Sequence, residues 1–176
     1  MLSTPHLLVG AAIVRSIPNP AISLPAAFVS HFLLDMTPHW DGSPQAPYKK
    51  KVISGAAVDY CLGATIIFFI SRGYPSQNII LLGAFLATLP DFLTILSRHV
   101  KKIGRIAIFK QHDKYHKKIQ VNVRFSRGLI ISVATCLAAL AFLAVLTAFC
   151  TSFVPYFTNL LIFSLNYFLY RTHLNH

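Results

Sequence analysis

The segment Ser30-His31-Phe32-Leu33-Leu34-Asp35-Met36-Thr37-Pro38-His39-Trp40-Asp41 places two histidines and two aspartates at the end of an otherwise apolar stretch. On a helix, His31 and Asp35 stand at i and i+4, so an imidazole and a carboxylate share one face and can reach one cation together. Pro38 stops the helix and hands His39 and Asp41 to the turn that follows, where they could act as ligands or as the proton carriers of a catalytic site. Imidazole with carboxylate suits Zn²⁺, and also Mn²⁺ or Fe, whereas an all-oxygen set suits Mg²⁺ or Ca²⁺. The plain alternatives are a hydrogen-bonded helix pair for His31 and Asp35 and an Asx-turn for Asp41.

A second i, i+4 pair, His112 and His116, lies in His112-Asp113-Lys114-Tyr115-His116, and Gln120 extends its stripe. Asp59 and Asp91 interrupt apolar runs, where a charge is costly enough to make each a functional candidate; a carboxylate capping a helix is the other reading. His6 sits in the first turn of an N-terminal apolar segment. The candidate metal ligands are therefore His6, His31, Asp35, Asp59, Asp91, His112 and His116, enough for one or two ions.

These residues must be held by a membrane protein. Hydrophobic residues make up 55% of the 176 and charged ones 12%, outside the range of soluble domains. Sixteen Lys and Arg oppose five carboxylates, all Asp, for a net charge of +11. Anionic lipid headgroups are the simplest partner for that excess, and nucleic acid is a more costly assumption. The three cysteines lie far apart in apolar segments and read as packing residues, not as a disulfide or metal framework. The first apolar segment has no basic start, so no cleaved signal peptide is expected.

One all-α membrane domain over 1–176, with five to six hydrophobic helices, follows from the pattern. A short segment spans Thr4 to Ser16, with Thr4 as its cap. Further helices span Ala21 to Met36, Val52 to Ser71 and Gln77 to Ser97, the last capped by Ser76. Apolar spans from Gly128 to Cys150 and onward to Tyr170 are separated by Thr151, Ser152 and Pro155. Between Arg98 and Arg127, ten basic residues alternate with Ile103, Ile106, Ile108, Phe109, Ile119 and Val121, the pattern of a basic amphipathic segment on a membrane surface. With the N-terminus inside and six crossings, 14 of the 16 basic residues face the cytoplasm and only Arg15 and Arg72 face out, which sets both termini inside. In that topology the candidate ligands all fall within roughly 12 Å of the cytoplasmic face.

The N-terminal Pro-His, the His-x-x-x-Asp helix followed by Pro-His-Trp-Asp, the Leu-Pro-Asp of residues 89–91 and the paired histidines before the last spans resemble the membrane-bound metal-dependent hydrolases of bacteria. More remotely they are similar to the zinc-dependent phospholipases C. The resemblance covers roughly residues 4 to 127. It implies a bacterial inner-membrane hydrolase with ligand roles for His31, Asp35, Asp91, His112 and His116, and for His6. A Zn²⁺ or similar ion would activate water and polarise a phosphoryl or acyl oxygen, with His39 or Asp41 taking the proton. Lys101, Lys102, Arg105 and Lys110 would bind the anionic headgroup of a lipid phosphoester. Two rivals stand beside this reading: a carrier of metal ions or protons, and a structural lipid-binding protein.

Overall fold

The computed structural model describes the backbone of residues 2–40 and 50–173, and side chains over 2–40 and 52–149. Seven helices occur in the described residues and no strand: α1 (Ser3–Ser16), α2 (Pro20–Asp35), α3 (Lys50–Ser71), α4 (Gln77–His99), α5 (Lys101–Gly104), α6 (Ala107–Ile119) and α7 (Phe125–His173). The chain divides into two compact units, Met1–Leu140 and Ala141–His176, and the candidate site lies in the first.

Among the described residues, three stretches are long and apolar enough to cross a membrane: Val52–Ser71, Gln77–His99 and Phe125–Phe149. Large apolar side chains such as Val58, Leu62, Phe69, Ile130, Leu137 and Val145 are exposed on these helices, as lipid-facing residues must be. The remaining expected spans are not found as such. At about 1.5 Å per residue, the 14 residues of α1 and 16 of α2 reach roughly 21 and 24 Å, short of the ~30 Å hydrocarbon layer. The expected separation at Thr151, Ser152 and Pro155 is absent too: α7 is one helix of 49 residues. Apolar sequence on both sides favours continuing the hydrogen-bond ladder, and a proline inside a membrane helix is tolerated.

α1 is the innermost helix, packed against α2, α3 and α4. Its Leu7, Leu8, Ala11 and Val14 are buried with Ala27, Ile67, Ile80 and Ala84. Small residues let α1 and α4 touch backbone to backbone. A Cβ on Gly83 would fall 2.2 Å from Val14, and one on Gly10 would fall 2.6 Å from the Ala87 methyl. Such contacts drive helix association where lipid removes the hydrophobic incentive.

The direction of each helix follows. The Arg15 guanidinium lies 4.3 Å over the Tyr74 ring, which puts the end of α1 beside the α3–α4 turn. His6, Asp35, the start of α3 and the end of α4 therefore gather at the opposite end. α5 and α6 cross that end, tied to α4 by the 2.7 Å ion pair of Arg98 with Asp113. The sequence places an amphipathic segment over 98–127; α6 is its core, with Ile108 and Tyr115 exposed beside exposed Lys110, Lys114, Lys117 and Lys118.

Capping differs from the sequence expectation in detail. Thr4 is inside α1 rather than its cap, and the first turn is satisfied from another helix, by Asp59. Ser76 precedes α4 without a side-chain bond to it, whereas Asn19 caps α2 by accepting from Ala21 N at 3.0 Å.

Candidate metal centre

His31, Asp35, Asp91 and His116 come from α2, α4 and α6, and each offers one ligand atom within 4.8 Å of the others. Asp35 Oδ2 lies 2.8 Å from His116 Nε2 and 3.3 Å from His31 Nε2. Asp91 Oδ1 lies 3.7 and 3.6 Å from the same two nitrogens, which are 2.9 Å apart. Bonds of about 2.0–2.1 Å to a common ion give ligand separations near 3.3 Å in a tetrahedron and near 3.0 Å in an octahedron. The five separations that involve a histidine nitrogen run from 2.8 to 3.7 Å and bracket both, and the two carboxylates offer oxygens within 4.8 Å of each other.

The rings are oriented from behind. His31 Nδ1–H donates to the Ala87 carbonyl at 2.8 Å, which leaves its Nε2 bare toward the cluster. His39 Nδ1–H donates to the Thr37 carbonyl at 2.8 Å, with the same result. His116 Nδ1 lies 3.0 Å from the Thr94 hydroxyl. A hydrogen bond behind each ring, fixing which nitrogen faces inward, is the usual support of histidine metal ligands. Pro90 removes one bond from the α4 ladder, and two carbonyls within a turn of that break, Ala87 and Pro90, accept N–H groups from His31 and His112.

No family model, characterised protein or solved structure matches this chain. Its chemistry has to be read from the site.

The centre is almost sealed: His6, His31, Asp35 and His39 are fully buried and His116 nearly so, while the Asp91 side chain is 26% exposed. Entry is therefore past Asp91. Of the other residues singled out by sequence, His6 is brought in: its ring stacks on His31 at 4.3 Å and its Nε2 lies 3.4 Å from Asp35 Oδ1. His39 is brought in too, with Nε2 3.7 Å from Asp35 Oδ1. It is aimed by backbone pairing with the segment after α6, Val123 N to His39 O and His39 N to Val121 O, both 2.9 Å. Gly128 lets α7 approach there, since a Cβ would fall 2.3 Å from Trp40 N.

His112 turns away from the cluster. Its Nε2–H donates to the Pro90 carbonyl at 3.0 Å, and its ring stacks on His116. Burial pushes the pKa of both His39 and His112 down from the ordinary histidine value, which favours the uncharged rings. Asp59 is not in the group, because its carboxylate accepts from Thr4 N at 3.0 Å and Thr4 Oγ1 at 2.8 Å. Asp41 lies outside the described residues. Lys101, Lys102, Arg105 and Lys110 are exposed on and beside α5 and α6 at the same end of the bundle. Gln120 reaches Asp35 Oδ2 at 3.5 Å. Sequence reasoning missed Thr94, whose only signal is its position one turn after Pro90 on the face that meets α6.

Proposed function

We propose that the chain is an integral-membrane, metal-dependent hydrolase of a lipid phosphoester, with its centre opening at the cytoplasmic face of a bacterial cell membrane. The observation that carries this reading is the convergence of His31, Asp35, Asp91 and His116, with the bare His31 Nε2 held inward by the hydrogen bond behind its ring and His116 backed by the Thr94 hydroxyl. Two imidazoles and two carboxylates suit Zn²⁺ best, with Mn²⁺ or Fe as chemical neighbours. An ion bound there supplies Lewis acidity, which polarises a phosphoryl oxygen and makes water acidic enough to be activated near neutral pH.

The residues of the chain do the rest. Asp91, at the exposed edge, is where water and substrate reach the group. Lys101, Lys102, Arg105 and Lys110 draw an anionic headgroup to that edge, each basic residue near an anionic surface contributing about 1 kcal/mol. His39 and Asp41 are the proton acceptors that the sequence offers. The crowding of Lys and Arg at the metal end, against Arg15 and Arg72 at the other, supports a cytoplasmic N-terminus.

Transport through the same cluster is less well supported. Beyond His6 and His31, the interior continues as Leu7, Leu8, Ala11, Val14, Ile80 and Ala84, with scattered hydroxyls such as Ser23 and Thr88 and no further buried carboxylate or imidazole among the described residues. The test is hydrolysis of anionic phospholipids and lipid phosphomonoesters by the Zn²⁺-loaded full-length protein in mixed micelles, beside His31→Ala/Asp35→Ala. Turnover that vanishes in the variant is expected. A metal-loaded wild type that releases neither headgroup nor phosphate from any of these lipids sinks the reading.

A further inference from the structure

The four-residue group uses one oxygen of Asp35, Oδ2. The other, Oδ1, faces His6 Nε2 at 3.4 Å and His39 Nε2 at 3.7 Å. We infer that a second divalent cation binds between His6 Nε2, His39 Nε2 and Asp35 Oδ1, so that Asp35 bridges two ions. The inference deepens the hydrolase reading and rests on the first ion being held by the neighbouring group.

The reason is a surplus of acceptors. A carbonyl can only accept, so the 2.8 Å contact of His39 Nδ1 with Thr37 O puts the hydrogen of that ring on Nδ1. Its Nε2 then presents a lone pair toward a carboxylate oxygen. That nitrogen and both ring nitrogens of His6 are buried without a hydrogen-bond partner. Buried polar atoms left this way are rare and need an explanation. Protonating the rings is a poor one. Both are fully buried, and His6 stacks at 4.3 Å on His31, so charge on both of those rings would repel. A metal ion satisfies His6 Nε2 and His39 Nε2 at once, and their distances to Asp35 Oδ1, 3.4 and 3.7 Å, are close to the roughly 3.3 Å edge of a tetrahedral site with bonds of about 2.0–2.1 Å.

The two positions differ in what they leave open. The first has four protein ligands from described residues. The second has three, the number that leaves a coordination place for water or substrate. His39 becomes a ligand on this account, and proton transfer falls to Asp41. The charge balance also narrows the substrate class. Two divalent ions outweigh the two carboxylates that hold them, and the excess favours a phosphate ester that can lie across ions about 3.5–4 Å apart.

The experiment uses the full-length protein in detergent, stripped with chelator and reloaded with Mn²⁺, followed by metal content and electron paramagnetic resonance. Two Mn²⁺ per chain with an exchange-coupled spectrum are expected. In His6→Gln/His39→Gln one ion should remain, with an uncoupled signal. One ion per chain in the wild type, no ion, or two coupled ions in the variant overturns the proposal. Should the double variant bind nothing, His39→Gln decides: loss of one ion supports the second site, and retention of both overturns it. Two bound ions without phosphoester turnover would remove the hydrolase reading and leave this site standing; turnover with a single ion would do the reverse.

Discussion

Two carboxylates flank the first turns of α1, and they meet opposite surroundings. Asp59 of α3 accepts from the Thr4 amide and hydroxyl, both true donors, so its charge is satisfied within the chain. Asp35 of α2 lies within 3.7 Å of four imidazole nitrogens, and at least two of them, on His31 and His39, are bare. Thr4 and His6 are two residues apart, yet one side of α1 meets a carboxylate held by hydrogen-bond donors and the other a carboxylate ringed by imidazole nitrogens. A buried carboxylate marks a metal site by the kind of atom it faces, more than by its burial or its depth in the membrane.

That contrast breaks most sharply at Asp35. Asp35→Asn removes the charge and puts two N–H donors among bare nitrogens, so the variant should fold without metal and bind Zn²⁺ more than about a hundredfold more weakly, beyond the 10–100-fold typical of changes behind a ligand. Thermal unfolding with and without metal checks it: at a free concentration a hundred times its Kd, an ion stabilises the wild type by about 2.7 kcal/mol, a gain the variant should not show. Thr94→Val is the next largest. It deprives His116 Nδ1 of the hydroxyl behind it, and metal affinity measured by competition with a chelating dye should fall about tenfold while metal-free stability changes little. Asp59→Asn gives the smallest effect and sharpens the comparison from the other side. It weakens the cap on α1 by about 1 kcal/mol, read as a lower denaturant midpoint at unchanged slope, with metal content unchanged. Metal lost from Asp59→Asn with the fold intact would erase the distinction between the two carboxylates.

The sequence made it legible that these residues sit near the same ends of their helices, and left their angular position obscure. Helix ends, the i, i+4 spacing of His31 with Asp35, and Pro90 before Asp91 are local signals, and the structure gathers those residues with His116. Asp59 is at a suitable depth too, but its helix presents it to Thr4; which way a helix is rotated depends on packing that spacing alone does not encode. His112 shares the face of His116 and yet is diverted by the Pro90 carbonyl, an acceptor visible only once α4 and α6 are side by side. The aim of His39 depends on backbone pairing with Val121 and Val123, more than 80 residues away, and no periodicity announces it. Apolarity likewise marked α1 and α2 as membrane segments, although their lengths fall short of a crossing.

The shortness of α1 has a consequence for how the protein is made. A helix of 14 residues covers about 21 Å and cannot bridge the hydrocarbon layer by itself. It gains a stable place only once α2, α3 and α4 form the sleeve that encloses it. His6 is therefore translated before every other member of the cluster but depends on helices made later for its place, so the finished site requires the whole assembly of the bundle.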